Sequence, residues 1–179
     1  RHTRLQGDWS SDVCSSDLNY HISSLRKKLS RAIFIMNRVK HFLPSKTLIS
    51  IYYALFHSHL NYCTSILACA SGQNIEKITK LQKKAIRIVT NSPYNAHTEP
   101  IFNRLRILPF KKLIYQSDML LMHSIHYNYG PRAIRNIFNR NQDRNLNYEL
   151  RNTEEYTISR IKYENLRKFP LYQIGRAHV

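Results

Sequence analysis

Acidic residues are the first candidates for chemistry in this chain. Enzymes that act on nucleic acids commonly bring carboxylates together around one or two metal ions. No Asp-Asp, Asp-x-Asp or Glu-x-x-His spacing occurs, and the adjacent pair Glu154-Glu155 is typical of a solvated charged run. We therefore predict no catalytic residue. The acidic residues between 19 and 173 are Glu76, Glu99, Asp118, Asp143, Glu149, Glu154, Glu155 and Glu164.

Histidine and cysteine side chains could instead bind a metal. His123 and His126 would share one face of a helix, and Cys63 or Cys69 could complete a zinc site. The sequence contains no compact set of four ligands, and the two cysteines, six residues apart, would lie on different faces of a helix as small core residues. We predict no metal site and no cofactor in this chain.

The basic residues indicate a partner rather than a reaction. The chain has 28 Lys and Arg against 11 Asp and Glu, a net charge of +17 and a pI of about 10.1. Such an excess favours a polyanion, an anionic membrane or an acidic protein as partner. A hydrophobic fraction of 42% argues against disorder. No apolar run reaches the roughly 18 residues of a membrane span, so we expect no membrane protein.

Apolar residues recur at helical spacing and predict an all-α fold of about five helices around a central apolar helix. The first helix starts near Ile22 and ends before Pro44. The second, 46–69, is apolar nearly all round and is therefore predicted to be buried at the centre. The third spans 74–90, a short helix follows Thr98, and a longer one extends from Pro109 to Gly130.

The basic face of the third helix is the strongest functional signal. Its lysines and arginine lie opposite an apolar face, and Glu76 is the only acid among them. Such a face can contact phosphates, and nearby Tyr and Phe can stack on unpaired bases. A membrane is a poorer partner because the apolar face is needed by the core. The predicted contact residues are Lys77, Lys80, Lys83, Lys84 and Arg87, followed by Arg26, Lys27, Lys28 and Arg31.

The two ends of the chain differ from the middle. One choice of codons for 12–17, translated from the opposite strand, encodes 174–179, and the same string resembles a sequencing adapter. We therefore expect 1–18 and 174–179 to be adapter-derived and without a fold. The net charge of +17 is unaffected, because three basic and three acidic residues lie in these ends. Between them we expect a helical domain over 19–130 and a weakly structured Arg/Asn-rich arm over 131–173.

Several motifs occur in a characteristic order between about 20 and 165. The most distinctive are LQKKAIRIVT at 81–90, HTEPIF at 97–102 and the Leu105-x-Ile107-Leu108-Pro109 block. Asn147-Tyr148-x-Leu150-Arg151 follows in the arm. This order resembles the region C-terminal to the palm, the thumb and post-thumb, of non-LTR (LINE-type, jockey-like) retrotransposon reverse transcriptases. The chain departs from the family at Tyr62-Cys63 and Leu67, where the family has Tyr-Gly and Trp.

The resemblance implies a fragment of an RNA-directed DNA polymerase that binds the template–primer backbone in a thumb-like domain. Its partners would be RNA and DNA, and the intact element protein would be intracellular and nuclear. The family's Tyr/Phe-x-Asp-Asp motif is absent here, so Mg²⁺ is expected only in the intact polymerase, and this chain alone should be inactive. The remainder of the polymerase polypeptide is missing from this sequence.

Two other interpretations stay open. A helical protein-interaction module could use the same basic surface to bind an acidic partner. The chain could also be a non-functional relic or an artefactual gene model, in which adapter is joined to a decayed copy of an element. Resequencing the locus without adapter would distinguish a continuous polymerase frame from a relic with stop codons.

Overall fold

The computed structural model of the protein describes residues 12–62, 64–130 and 132, and within this part the fold is all-helical without strands. The predicted all-α class is therefore confirmed. Residues 1–11, 63, 131 and 133–179 lie outside the described residues, and with them the C-terminal adapter-like segment and all of the predicted arm over 131–173 except Arg132. The elements are α1 (Asp12–Val39), α2 (Ser45–Ile51), a π-helical segment (Tyr52–His57), α3 (Ser58–Asn61), α4 (Thr64–Leu67), α5 (Gly72–Val89), α6 (Glu99–Leu105) and α7 (Phe110–His126).

The chain divides into two compact units. The first contains the residues up to 63 together with 70–111, and it therefore includes α1, α2, the π-helical segment, α3, α5 and α6. The second contains 64–69 and the chain from 112 onward, and its described part is α4 and most of α7. The helical domain over 19–130 stays a prediction.

Helix α1 is long and amphipathic. Ile22, Leu25, Leu29, Ile33 and Met36 recur at helical spacing and are buried, as the sequence predicts. The helix begins at Asp12, so the backbone of 12–18 is helical, whereas the sequence predicts no fold for that segment. Adding residues to an existing helix fixes few new dihedrals per hydrogen bond gained, so a polar extension follows from the amphipathic part.

Residues 45–61 form one continuous helical stretch with a π-helical centre. Tyr52, Phe56 and Leu60 are fully buried, whereas Tyr53 is 42% and Leu55 is 38% exposed. This helix therefore buries the face that carries Tyr52, Phe56 and Leu60 and exposes part of its other apolar residues. The predicted helix of roughly 46–69, in which the sequence marks Asn61 as a possible break, is interrupted at that point: Tyr62 adopts an extended conformation and α4 begins anew at Thr64.

Helices α1 and α5 lie side by side and run parallel in the first unit. The Asn74 side chain donates to Asn19 Oδ1 at 3.0 Å near the N-terminal ends, and Asn37 and Asn91 line one groove near the C-terminal ends. Helix α5 buries Ile78, Ile86 and Val89. The π-helical segment packs against α1 as well.

Gln82 of α5 joins three parts of the first unit. Its amide nitrogen donates to Tyr52 Oη at 3.1 Å and to the Leu108 carbonyl at 3.0 Å, and its oxygen accepts from the Phe110 backbone N–H at 2.7 Å. The side chain is fully buried. Burial raises the pKa of Tyr52 to about 12, and the weaker opposing effect of the Gln82 hydrogen bond leaves the phenol neutral. The buried amide is thus satisfied, as a buried polar group must be.

Three helices end with a residue in the left-handed conformation. Asn91, Arg106 and Asn128 have φ of 49°, 52° and 62° and follow α5, α6 and α7. After α5, the Ser92 N–H donates to the Arg87 carbonyl and the Asn91 N–H to the Ile88 carbonyl. This is the Schellman pattern, which satisfies the last carbonyls of a helix and turns the chain sharply.

In the described part of the second unit, two serine hydroxyls lie within hydrogen-bond distance of each other and an aspartate is buried. Ser65 Oγ of α4 lies 2.8 Å from Ser117 Oγ of α7. Asp118, next in sequence, is only 6% exposed, and its Oδ1 has no hydrogen-bond partner. Burial raises the pKa of the Asp118 carboxyl to about 6, against the smaller lowering effect of a hydrogen bond from Ser65.

Candidate nucleic-acid interface

The predicted lysines of α5 lie on its solvent-exposed face. Lys77, Lys80, Lys83 and Lys84 are all exposed, and the opposite face of the same helix is buried in the first unit. The apolar face fixes the rotation of the helix, and the basic residues follow from it. The structure therefore presents the four lysine ammonium groups where phosphates could reach them.

A groove of about 380 Å³ runs between α1 and α5. Its walls combine basic, aromatic, amide and hydroxyl side chains over an apolar floor. No acidic residue lies among the residues that line it: Ser30, Ile33, Phe34, Asn37, Lys40, Lys84, Arg87, Ile88, Asn91, Ser92 and Tyr94.

Only some of the predicted contact residues on α5 line the groove. Lys84 and Arg87 line it directly. Lys80 and Lys77 precede Lys84 by one and two turns, so they extend the same strip toward the N-terminus of α5. Lys83 is exposed one turn before Arg87 but is not among the residues that line the groove.

The predicted contact residues of α1 also differ in whether they lie on the side of the helix that lines the groove. Arg26 and Lys27 lie one turn before Ser30, on the side of α1 that lines the groove. Lys28 is exposed on the opposite side of the helix, and Arg31 is exposed one turn before Phe34 without lining the groove. Arg26 is half-buried, and its Nε has no hydrogen-bond partner.

Arg87 has a structural role as well as a charge. Its Nε donates to the Ala96 carbonyl at 3.0 Å, and its guanidinium carbon lies 5.9 Å from the centre of the Tyr94 ring. Unlike the four lysines, Arg87 is therefore half-buried and holds the segment that follows α5. Its replacement would disturb this segment in addition to removing a charge.

Sequence reasoning missed the aromatic residues and Lys40. Phe34 is 60% exposed and the Arg38 guanidinium carbon lies 5.2 Å from its ring centre, while Tyr94 is 84% exposed. The available signal for Phe34 was its position off the apolar face of α1. Tyr94 and Lys40 gave no comparable signal, because their approach to the groove depends on the packing of α1 and α5.

Two of the candidate metal ligands, His123 and His126, lie against one ring, and Cys63 lies outside the described residues. His123 and His126 both contact the Tyr127 ring, at centroid distances of 4.6 and 5.0 Å. His57 in the π-helical segment has a buried Nδ1 without a hydrogen-bond partner, and burial lowers its pKa. Within 12–62 and 64–130, no three His, Cys, Asp or Glu residues come together as a metal site would require.

The described helices are also too short or too polar to cross a bilayer. Comparison with known proteins finds no matching family model, and no similar curated protein or solved structure.

Proposed function

We propose that this chain is a nucleic-acid-binding part of an RNA-directed DNA polymerase of the non-LTR retrotransposon type. It would bind the template–primer backbone and supply no catalytic residue. The observation that carries the proposal is the one-sided set of exposed lysines on α5 beside a groove without acidic residues. The motifs at 81–90 and 97–109 add the resemblance to the family.

The strip from Lys77 to Arg87 has the extent that backbone binding requires. Ten residues of α-helix span roughly 15 Å, so the strip faces several consecutive phosphates. Each Lys or Arg that neutralises a phosphate releases condensed counterions, and affinity then falls as salt rises. Binding of this kind does not depend on base sequence, which suits a domain that must slide along its template.

The test removes three charges from the strip. The variant chain carries Lys77→Gln, Lys80→Gln and Lys84→Gln. The slope of log affinity against log salt for an RNA–DNA hybrid is negative, and its magnitude should decrease by about 2 to 3, since each lost phosphate contact removes roughly 0.9. Fluorescence anisotropy over a salt series measures the slope. Arg87 is left in place because it also holds Ala96.

The matched control removes three exposed lysines elsewhere, in a chain with Lys46→Gln, Lys111→Gln and Lys112→Gln. Its slope should stay near that of the unmodified chain. Equal slopes for the two triple variants would refute the assignment of the α5 strip. Equal affinity for heparin and for the RNA–DNA hybrid would favour the protein-interaction module instead.

A further inference from the structure

The two aromatic rings of the α1–α5 groove are exposed to solvent, although large apolar side chains are usually buried in the core. Phe34 projects from α1, and Tyr94 lies in the segment after α5. Each carries a guanidinium on its ring, Arg38 at 5.2 Å and Arg87 at 5.9 Å. A cation covers one side of a ring at most, so each ring keeps surface on which a planar group can stack.

The segment that carries Tyr94 is held in place before any ligand arrives. Asn91 turns the chain in the left-handed conformation, and Thr90 Oγ1 lies 2.8 Å from Ser92 Oγ. The Ala96 N–H donates to the Pro93 carbonyl, and the Ala96 carbonyl accepts from Arg87. The backbone that carries the ring is therefore fixed without a ligand, which reduces the free energy that binding loses in ordering this segment.

The other side chains of the groove select for a negatively charged ligand with polar edges. Lys40, Lys84 and Arg87 can bind a phosphate, and the amides of Asn37 and Asn91 can pair with the edge of a base. A volume of about 380 Å³ lies within the roughly 300–1,000 Å³ of small-ligand sites.

We infer that the groove binds an unpaired nucleotide of a single-stranded nucleic acid, with its base against Tyr94 or Phe34 and its phosphate among the three cations. The inference rests on the proposed function and adds a ligand class to it. A paired base in a duplex has both faces stacked on its neighbours, whereas an unpaired base has a face free for an aromatic ring.

The test compares Tyr94→Leu, which removes the ring but keeps apolar bulk and charge, with Tyr20→Leu as control. Tyr20 is 80% exposed on α1 and does not line the groove. The probes are a short oligothymidylate, its abasic analogue with the same phosphates, and a duplex of equal length. Tyr94→Leu should weaken oligothymidylate binding at least about fivefold and leave the other two affinities unchanged. Phe34→Leu is measured in parallel.

The outcomes separate this inference from the proposed function. If the unmodified chain binds none of the probes in a salt-dependent manner, both fail. If it binds them but neither Tyr94→Leu nor Phe34→Leu affects oligothymidylate selectively, the groove does not hold a base, and the backbone strip on α5 stands alone. Equal losses for oligothymidylate and the abasic analogue would likewise overturn base stacking. An equal loss in Tyr20→Leu would make the effect nonspecific and overturn it too.

Discussion

Asp118 is a carboxylate in an environment that favours its neutral form. It is only 6% exposed, one of its oxygens has no hydrogen-bond partner, and burial raises its pKa from 3.8 to about 6. Because the folded pKa lies above the ordinary value, the folded state binds this proton more tightly than the unfolded chain. The stabilising contribution is complete below about pH 4 and is lost as the pH rises through about 6.

Asp118→Asn should therefore stabilise the protein at neutral pH and have little effect in acid. A shift of about two pKa units corresponds to an upper limit of about 3 kcal/mol in the free energy of unfolding at pH 7. Urea denaturation of both chains at pH 4 and pH 7 measures the difference. The exposed Glu76→Gln serves as control, and an equal gain from Asp118→Asn at both pH values would contradict the prediction.

At the scale of elements, Gln82 connects α5 with the π-helical segment and with the start of α7. Replacement by Leu keeps a similar volume but leaves the Tyr52 hydroxyl, the Leu108 carbonyl and the Phe110 N–H without this partner. Since each buried polar group left unsatisfied costs about 1–3 kcal/mol, Gln82→Leu should lower the free energy of unfolding by about 3 kcal/mol or more.

Chemical denaturation followed by circular dichroism checks this value. The control is Gln73→Leu, an exposed position on the same helix, which should stay within about 0.5 kcal/mol of the unmodified chain. A similar small effect for both variants would mean that water replaces the Gln82 hydrogen bonds.

The elements differ in how well the sequence predicts them. Helix α5 spans Gly72–Val89, close to the predicted 74–90, because charged and apolar residues alternate with a clear helical period. The stretch from 46 to 69 gave no such period: apolar residues on all sides indicated burial and Asn61 marked a possible break, but nothing in the sequence revealed the π-helical centre. The structural role of Gln82 was missed because a polar residue on an apolar face only interrupts the hydrophobic pattern, and the sequence does not show which groups it bonds to.

For the candidate site, the sequence likewise predicts the basic residues but not the groove beside them. The basic residues follow from composition and helical spacing alone, so all nine could be named from the sequence. The groove could not, since it requires that α1 and α5 be neighbours and that Asn91 turn the chain toward α1. Tertiary packing decides which of the nine residues share a surface with Phe34 and Tyr94.

At the scale of the whole molecule, the net charge of +17 acts on folding as well as on binding. Like charges repel in the compact state, and the Debye length falls from about 10 Å at 0.1 M salt to 3 Å at 1 M. The melting temperature should therefore rise between 0.02 M and 0.5 M NaCl, while affinity for nucleic acid falls over the same range. Thermal denaturation at several NaCl concentrations checks the first trend, and a melting temperature that falls with NaCl would contradict it.

The parallel pairing of α1 and α5 also bears on how the chain folds. The Asn19–Asn74 hydrogen bond joins residues 55 positions apart, so the two walls of the groove meet only after the intervening chain has closed a long loop. Contacts of such sequence separation slow folding relative to those between consecutive helices. Until α5 has been synthesised, the apolar face of α1 is covered only in part, by the π-helical segment and α3, and apolar surface that stays exposed in this way favours aggregation of a nascent chain.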